Sequence, residues 1–172
     1  MKSLAVIVFN SNGSAYQALH LVGLDSELEC LELIPMGPQA QLLVKGAPEK
    51  LQIFLRRLSV SDVEAVTLID RWNQKIERAF YSLEHAPVRQ SLVFVENSSL
   101  GALFLAASMA IDAGYEIVDL KIPRGSVKWG LLILTGTAST NDSVPSLRVQ
   151  GNVVTRIQAP SGLLKKYFDI EA

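Results

Sequence analysis

The chain repeats itself at a fixed offset, and no other feature constrains its fold as tightly. Ser3-Leu4 recurs as Ser91-Leu92, Gly13 as Gly101, Ile34-Pro35 as Ile122-Pro123 and Gly37 as Gly125, each 88 residues on. Val66-Thr67 then recurs as Val154-Thr155, Ile69 as Ile157 and Phe80 as Phe168 at the same spacing. Chance matches would not hold one offset along 172 residues, whereas a duplicated structural unit must. The register slips by two where Gly46 meets Gly136 and recovers before Val154, as a short insertion and a compensating deletion would make it do. His85-Ala86-Pro87 is the natural linker, so the expected domains are 1–87 and 88–172.

Each copy predicts the same order of elements. In the first, Leu4 to Phe9 is a continuous apolar run rich in β-branched residues, the mark of a buried strand. Asn10-Ser11-Asn12-Gly13-Ser14 offers helix caps before a helix from about Ala15 to Leu24. Leu28 to Ile34 alternates well enough for a second strand, Pro35-Met36-Gly37-Pro38 is a turn, and Gln41 to Lys45 is a third strand. Pro48 suits the first turn of a helix whose apolar stripe is Leu51, Phe54, Leu55 and Leu58. Val63 to Ile69 is a fourth strand, and Ile76, Phe80 and Leu83 mark a closing helix.

The second copy runs through strand Leu92 to Glu96, a helix to Ala113, strand Tyr115 to Lys121 and strand Gly130 to Leu134. Thr137 to Val149 is rich in Ser, Thr, Asn, Asp and Pro, which predicts a middle helix shortened or lost. Strand Val153 to Ile157 and a helix carrying Leu163, Leu164, Tyr167 and Phe168 close the copy. The expected class is α/β (α+β): two tandem ferredoxin-like domains, each a four-stranded, mainly antiparallel sheet with helices packed on it.

Composition narrows the partners. With 49% hydrophobic and only 19% charged residues, the chain can bury a sizeable core yet has little charge to cover its surface, which favours an oligomer. A net charge of -1 lacks the basic excess that phosphate neutralisation needs, so no nucleic-acid partner is expected. Cys30 is the single cysteine, which excludes an internal disulfide and argues for a reducing compartment. The apolar stretch Leu100 to Ile111 is shorter than the ~20 residues a membrane span takes. A soluble, cytoplasmic protein with no membrane partner is the expectation.

The order strand, helix, strand, strand, helix, strand, helix, with a glycine-centred turn between the second and third strands, resembles the bacterial microcompartment (BMC) shell domain. The small-residue helix Ala106-Ala107-Ser108-Met109-Ala110, followed by Ala113-Gly114-Tyr115-Glu116-Ile117-Val118, and the stretch Glu64 to Leu83 carry the likeness best. Since the first strand leads each copy, the chain is similar to the non-permuted tandem form, which implies a homotrimer with six-fold-like symmetry. The same resemblance implies a central pore lined by the turns Met36-Gly37-Pro38 and Arg124-Gly125-Ser126. Two features depart from the family pattern. Its tiles carry an edge lysine near the end of the first helix, where this chain has Gly23 and Ile111. Its Pro-Arg-Pro-His-like turn after the fourth strand is replaced by Asp70-Arg71-Trp72-Asn73 and Gln158-Ala159-Pro160-Ser161.

Candidate chemistry is sparse. Three Arg124 side chains converging on a trimer axis would lower the barrier for anions, so a small anionic metabolite is the expected permeant; the plainer reading is two tight turns and a solvated arginine. The loops Asn10 to Ser14 and Asn97 to Leu100 lack phosphate-binding spacing and read as helix caps. His20 and His85 read as structural or exposed histidines, and Cys30 as a buried, inert thiol off the pore turn. Asp70, Arg71 and Trp72 read as interface packing or a surface ion pair, and Trp129 as a subunit-contact anchor. No catalytic residue, metal site or cofactor is expected. Three functions follow in order: a shell protein working beside other shell proteins, a trimeric ligand-binding or regulatory protein outside any shell, and an enzyme using Asp70.

Overall fold

Continuous β-branched runs followed by capped helices build the same four-stranded sheet twice. A computed structural model describes residues 2–124, 129–137, 147 and 151–170. In chain order the elements are β1 (Ser3–Phe9), α1 (Asn12–Gly23), β2 (Glu29–Met36), β3 (Gln39–Gly46), α2 (Pro48–Arg56), β4 (Val63–Ile69) and α3 (Gln74–Phe80). There follow β5 (Ser91–Asn97), α4 (Leu100–Asp112), β6 (Glu116–Lys121), β7 (Gly130–Gly136), β8 (Val153–Gln158) and α5 (Gly162–Ile170). The strand orders are β2-β3-β1-β4 and β6-β7-β5-β8, antiparallel throughout. Most of Thr137 to Val149, where the middle helix of the second copy was in question, lies outside the described residues.

The registers correspond through most of each sheet. Ser3 pairs with Gly46 as Ser91 pairs with Gly136, and Leu4 pairs with Ile69 as Leu92 pairs with Ile157. One irregularity is shared: β2 bulges at Leu31, between Cys30 and Glu32, and β6 bulges at Val118, between Ile117 and Asp119, whereas the shift between Val8 and Phe9 opposite β4 has no counterpart between β5 and β8. A bulge adds one unpaired residue and a local twist, so its repetition shows that the copies share fine geometry as well as topology. The helix entries also repeat, with Ser11 accepting from the Ser14 amide and Ser99 from the Ala102 amide.

Contacts divide the chain into two units, Met1–Trp72 with Arg124–Lys128, and Asn73–Pro123 with Trp129–Ala172. In the first unit α1 and α2 bring Ala15, Ala18, Val22, Leu51 and Phe54 onto Ala5, Ile7, Phe9, Leu42 and Val44. Burying each large side chain there contributes about 1.5–3 kcal/mol. In the second unit α5 sets Leu164 and Phe168 against Leu92, Phe94 and Ile133. Strand alternation sends the fully buried Val93, Val95, Leu132 and Leu134 to the opposite face, where α4 packs.

Helix α3 stands last in the first sequence copy but packs in the second unit, on β6 and α4, where the Phe80 and Phe104 rings meet at 5.6 Å. The segment after it stays there: the Ala86 amide donates to Ile117 O at 2.9 Å, and His85 Nδ1 donates to Val118 O at 2.8 Å. His85 thereby satisfies the carbonyl of the bulged residue.

Candidate functional site: the turns between the second and third strands

The first turn is as tight as a hairpin allows. Met36 and Gln39 pair, so only Gly37 and Pro38 lie between the strands. Gly37 takes φ +68°, which the first central position of a type II′ turn needs, and a Cβ there would meet nothing within 4 Å. Backbone conformation, then, is what selects glycine at this position. The turn is tied to the start of α1, where Asn12 Nδ2 donates to Gly37 O at 2.8 Å. Met36 is half-buried, and Gly37 and Pro38 are exposed.

The second turn follows β6. Pro123 is buried and Arg124 exposed; Gly125 and Ser126 lie outside the described residues. Arg124 falls in the same unit as the Met36-Gly37-Pro38 turn. Its Nη2 lies 2.8 and 3.0 Å from the two carboxylate oxygens of Glu32 on β2. The arginine expected to face a pore as a bare cation is therefore charge-compensated within its own chain. Sequence reasoning did not find Glu32, whose only signal was its place among the polar residues of an alternating strand.

The remaining candidates scatter. Asp70 and Arg71 are exposed and make no ion pair with each other or with other described residues, while Trp72 is buried and its amide donates to Lys2 O at 2.9 Å. Arg71 has φ 57° and its counterpart Ala159 φ 47°, so both copies turn through the left-handed region after the fourth strand without a glycine. His20 is exposed, His85 is half-buried in the linker, and Trp129 is 51% exposed. Cys30 is half-buried rather than buried, because β2 is an edge strand. Burial, and then the Glu32 charge, push its thiol pKa up, which favours the protonated form over the reactive thiolate. Among the described residues there is no cluster of three metal-ligating side chains, and no helix is long and apolar enough to cross a membrane.

Comparison with solved structures decides the fold. A microcompartments protein from Desulfitobacterium hafniense DCB superposes with TM-score 0.81 over 96% of this chain and 99% of its own, at 21% identity. The fold is that of a tandem microcompartment-domain protein. Two further structures, a glycine cleavage system transcriptional repressor and a bacterial light-regulated adenylyl cyclase, cover 91% of this chain at 11% and 8% identity. They span 98% and 72% of their own chains, but a TM-score of 0.34 for each does not establish a common fold. No family model and no curated protein matches the sequence. Within that fold, the two halves of this chain bear the same strand order, the same bulge in the second strand and the same serine-capped first helix. Both turns described above join the second and third strands of their sheets.

Proposed function

We propose that this chain is a structural shell protein of a bacterial microcompartment. Its sequence repeats, 1–87 and 88–172, act as two near-equivalent sides, so that three chains close a cytoplasmic, pseudo-hexameric ring. The two strand-connecting turns, Met36-Gly37-Pro38 and Arg124-Gly125-Ser126, meet at its axis and line a pore for small anionic metabolites. The observation that carries the reading is the matched register of the two sheets, since a ring of six similar sides built from three chains needs halves of equal shape. The chain then works as scaffold and filter, alongside other shell proteins, and performs no catalysis.

Sedimentation equilibrium tests it, with a mass three times that of the 18.8 kDa chain as the expected result. Negative-stain images should show six-sided particles with a central depression. A monomer at micromolar concentration overturns the reading. The missing edge lysines at Gly23 and Ile111 favour a second reading, a trimeric ligand-binding or regulatory protein that forms rings without tiling. Soluble trimers that never assemble into sheets or tubes on overexpression would favour it.

A further inference from the structure

The second unit carries a groove that neither turn uses. Its larger lobe, about 300 Å³, is lined by Lys75, Arg89, Tyr115, Glu116, Thr135 and Thr137, with Ile111 and two glycines completing the wall. A smaller lobe of about 170 Å³ continues past Lys75 and Glu116 along the linker, under Glu84 and His85.

The charges in this groove are unequal. Glu84 is paired with Arg78, Nε to Oε2 at 2.8 Å, and Glu116 with Arg89, Nε to Oε2 at 2.5 Å. Arg89 is also fixed at its backbone, where its amide donates to Thr135 Oγ1 at 2.8 Å, and that buried hydroxyl donates in turn to Ser91 O at 3.0 Å. Glu116 thus holds the guanidinium by Nε alone, leaving its Nη groups without a partner among the described residues. The Lys75 ammonium likewise has no ion pair among them. The groove therefore holds one uncompensated positive charge, a half-committed guanidinium and space for a few heavy atoms.

We infer that this groove binds a small oxyanion, a monocarboxylate or inorganic phosphate, between the Lys75 ammonium and the Nη donors of Arg89, with Glu116 as the positioning residue. Guanidinium and ammonium donors make charge-assisted hydrogen bonds to such oxygens, and a guanidinium anchored on one edge is already oriented for them. Every residue involved comes from one unit of one chain, so the site does not depend on ring formation.

The test is an amide NMR titration of the full chain with sodium acetate and, separately, sodium phosphate, at ionic strength held constant with sodium chloride. Saturable shifts of the Gly114, Gly136 and Thr137 amides are expected. Lys75→Ala should weaken binding about tenfold or more, the size of one lost charged hydrogen bond. Lys166→Ala, an exposed lysine substitution on α5, should not. Saturation by acetate alone assigns a carboxylate, by phosphate alone a phosphate, and by both a general oxyanion site. Shifts that chloride reproduces, or that persist unchanged in a folded Lys75→Ala variant, overturn the inference.

Discussion

Arg124 and Glu32, 92 residues apart in the chain, hold each other through a single Nη2 that contacts both carboxylate oxygens, at 2.8 and 3.0 Å. The arginine side chain is 59% exposed, so solvent screens the pair and its coupling should be about 0.2–1 kcal/mol. A double-mutant cycle of Glu32→Gln and Arg124→Ala, followed by urea unfolding, measures it. If the shell reading holds, Glu32→Gln should also raise the affinity of assembled rings for small anions, because it uncovers three arginines at once. A coupling near zero would mean that the two side chains are merely neighbours.

Gly130 and Gly37 should respond to alanine for different reasons. A Cβ at Gly130 would lie 2.5 Å from Leu103 Cδ1, 2.8 Å from Pro123 Cδ and 3.0 Å from Lys121 O. The backbone oxygen and the proline ring cannot swing away, so Gly130→Ala should cost about 1–3 kcal/mol as an overpacked site. At Gly37 there is room, and only the positive φ penalises a side chain, by about 1–2 kcal/mol. Gly37→Asn should recover part of that loss, and Gly130→Ser should recover none, in chemical denaturation of the four variants.

Much of the fold was legible because two independent copies of one pattern had to agree. A doubtful strand such as Leu28 to Ile34 gained weight from its counterpart Tyr115 to Lys121, and both formed within a residue or two of their expected limits. The shared bulge was not legible, since an extra residue at Leu31 or Val118 leaves no mark in an imperfect alternation. The packing of α3 was hidden for another reason: its stripe of Ile76 and Phe80 shows that it buries one face but not which sheet receives it. The turns at Gly37 and Arg124 could be placed from glycine and proline spacing, but the Glu32 partner is a long-range contact with no local signal.

Cys30 should react slowly with a thiol-specific disulfide reagent. Burial raises its pKa first and the neighbouring Glu32 carboxylate adds to the rise, so the thiolate is scarce at neutral pH. Glu32→Gln removes the second cause and should speed the reaction, with the pH–rate profile moving toward lower pH. A profile unmoved by that substitution would leave burial as the sole cause.

Glu29 lies between two ammonium groups, Lys45 Nζ at 3.1 Å and Lys2 Nζ at 3.5 Å. Burial acts to raise its pKa, but hydrogen bonds and charge attraction from Lys45, then Lys2, outweigh it and leave the carboxyl below its ordinary 4.5. A depressed folded value means the unfolded chain binds the proton more tightly. The stabilisation is therefore complete above about pH 4.5 and is lost as pH falls through the lowered folded value. Lys45→Met should be less stable than the parent at pH 7, with the difference shrinking by pH 3 in urea midpoints. A gap of constant size across that range would locate the effect in packing instead.

The placement of α3 predicts where the chain loosens first. Phe104 is fully buried and meets Phe80 at 5.6 Å edge to face, and Ile76 and Ala79 supply the rest of the buried face of a seven-residue helix. A helix that short does not hold itself together, so its order depends on this packing. Phe80→Ala should cost about 3–5 kcal/mol if the surroundings cannot close the cavity. Native-state hydrogen exchange should show the loss first in α3 and at the Ala86 amide, which stays bonded to Ile117 only while the linker lies along β6. The β1 and β3 amides belong to the other unit and should keep their protection until global unfolding. Should β1 and β3 lose protection together with α3, the helix would be no more tied to the second sheet than to the first.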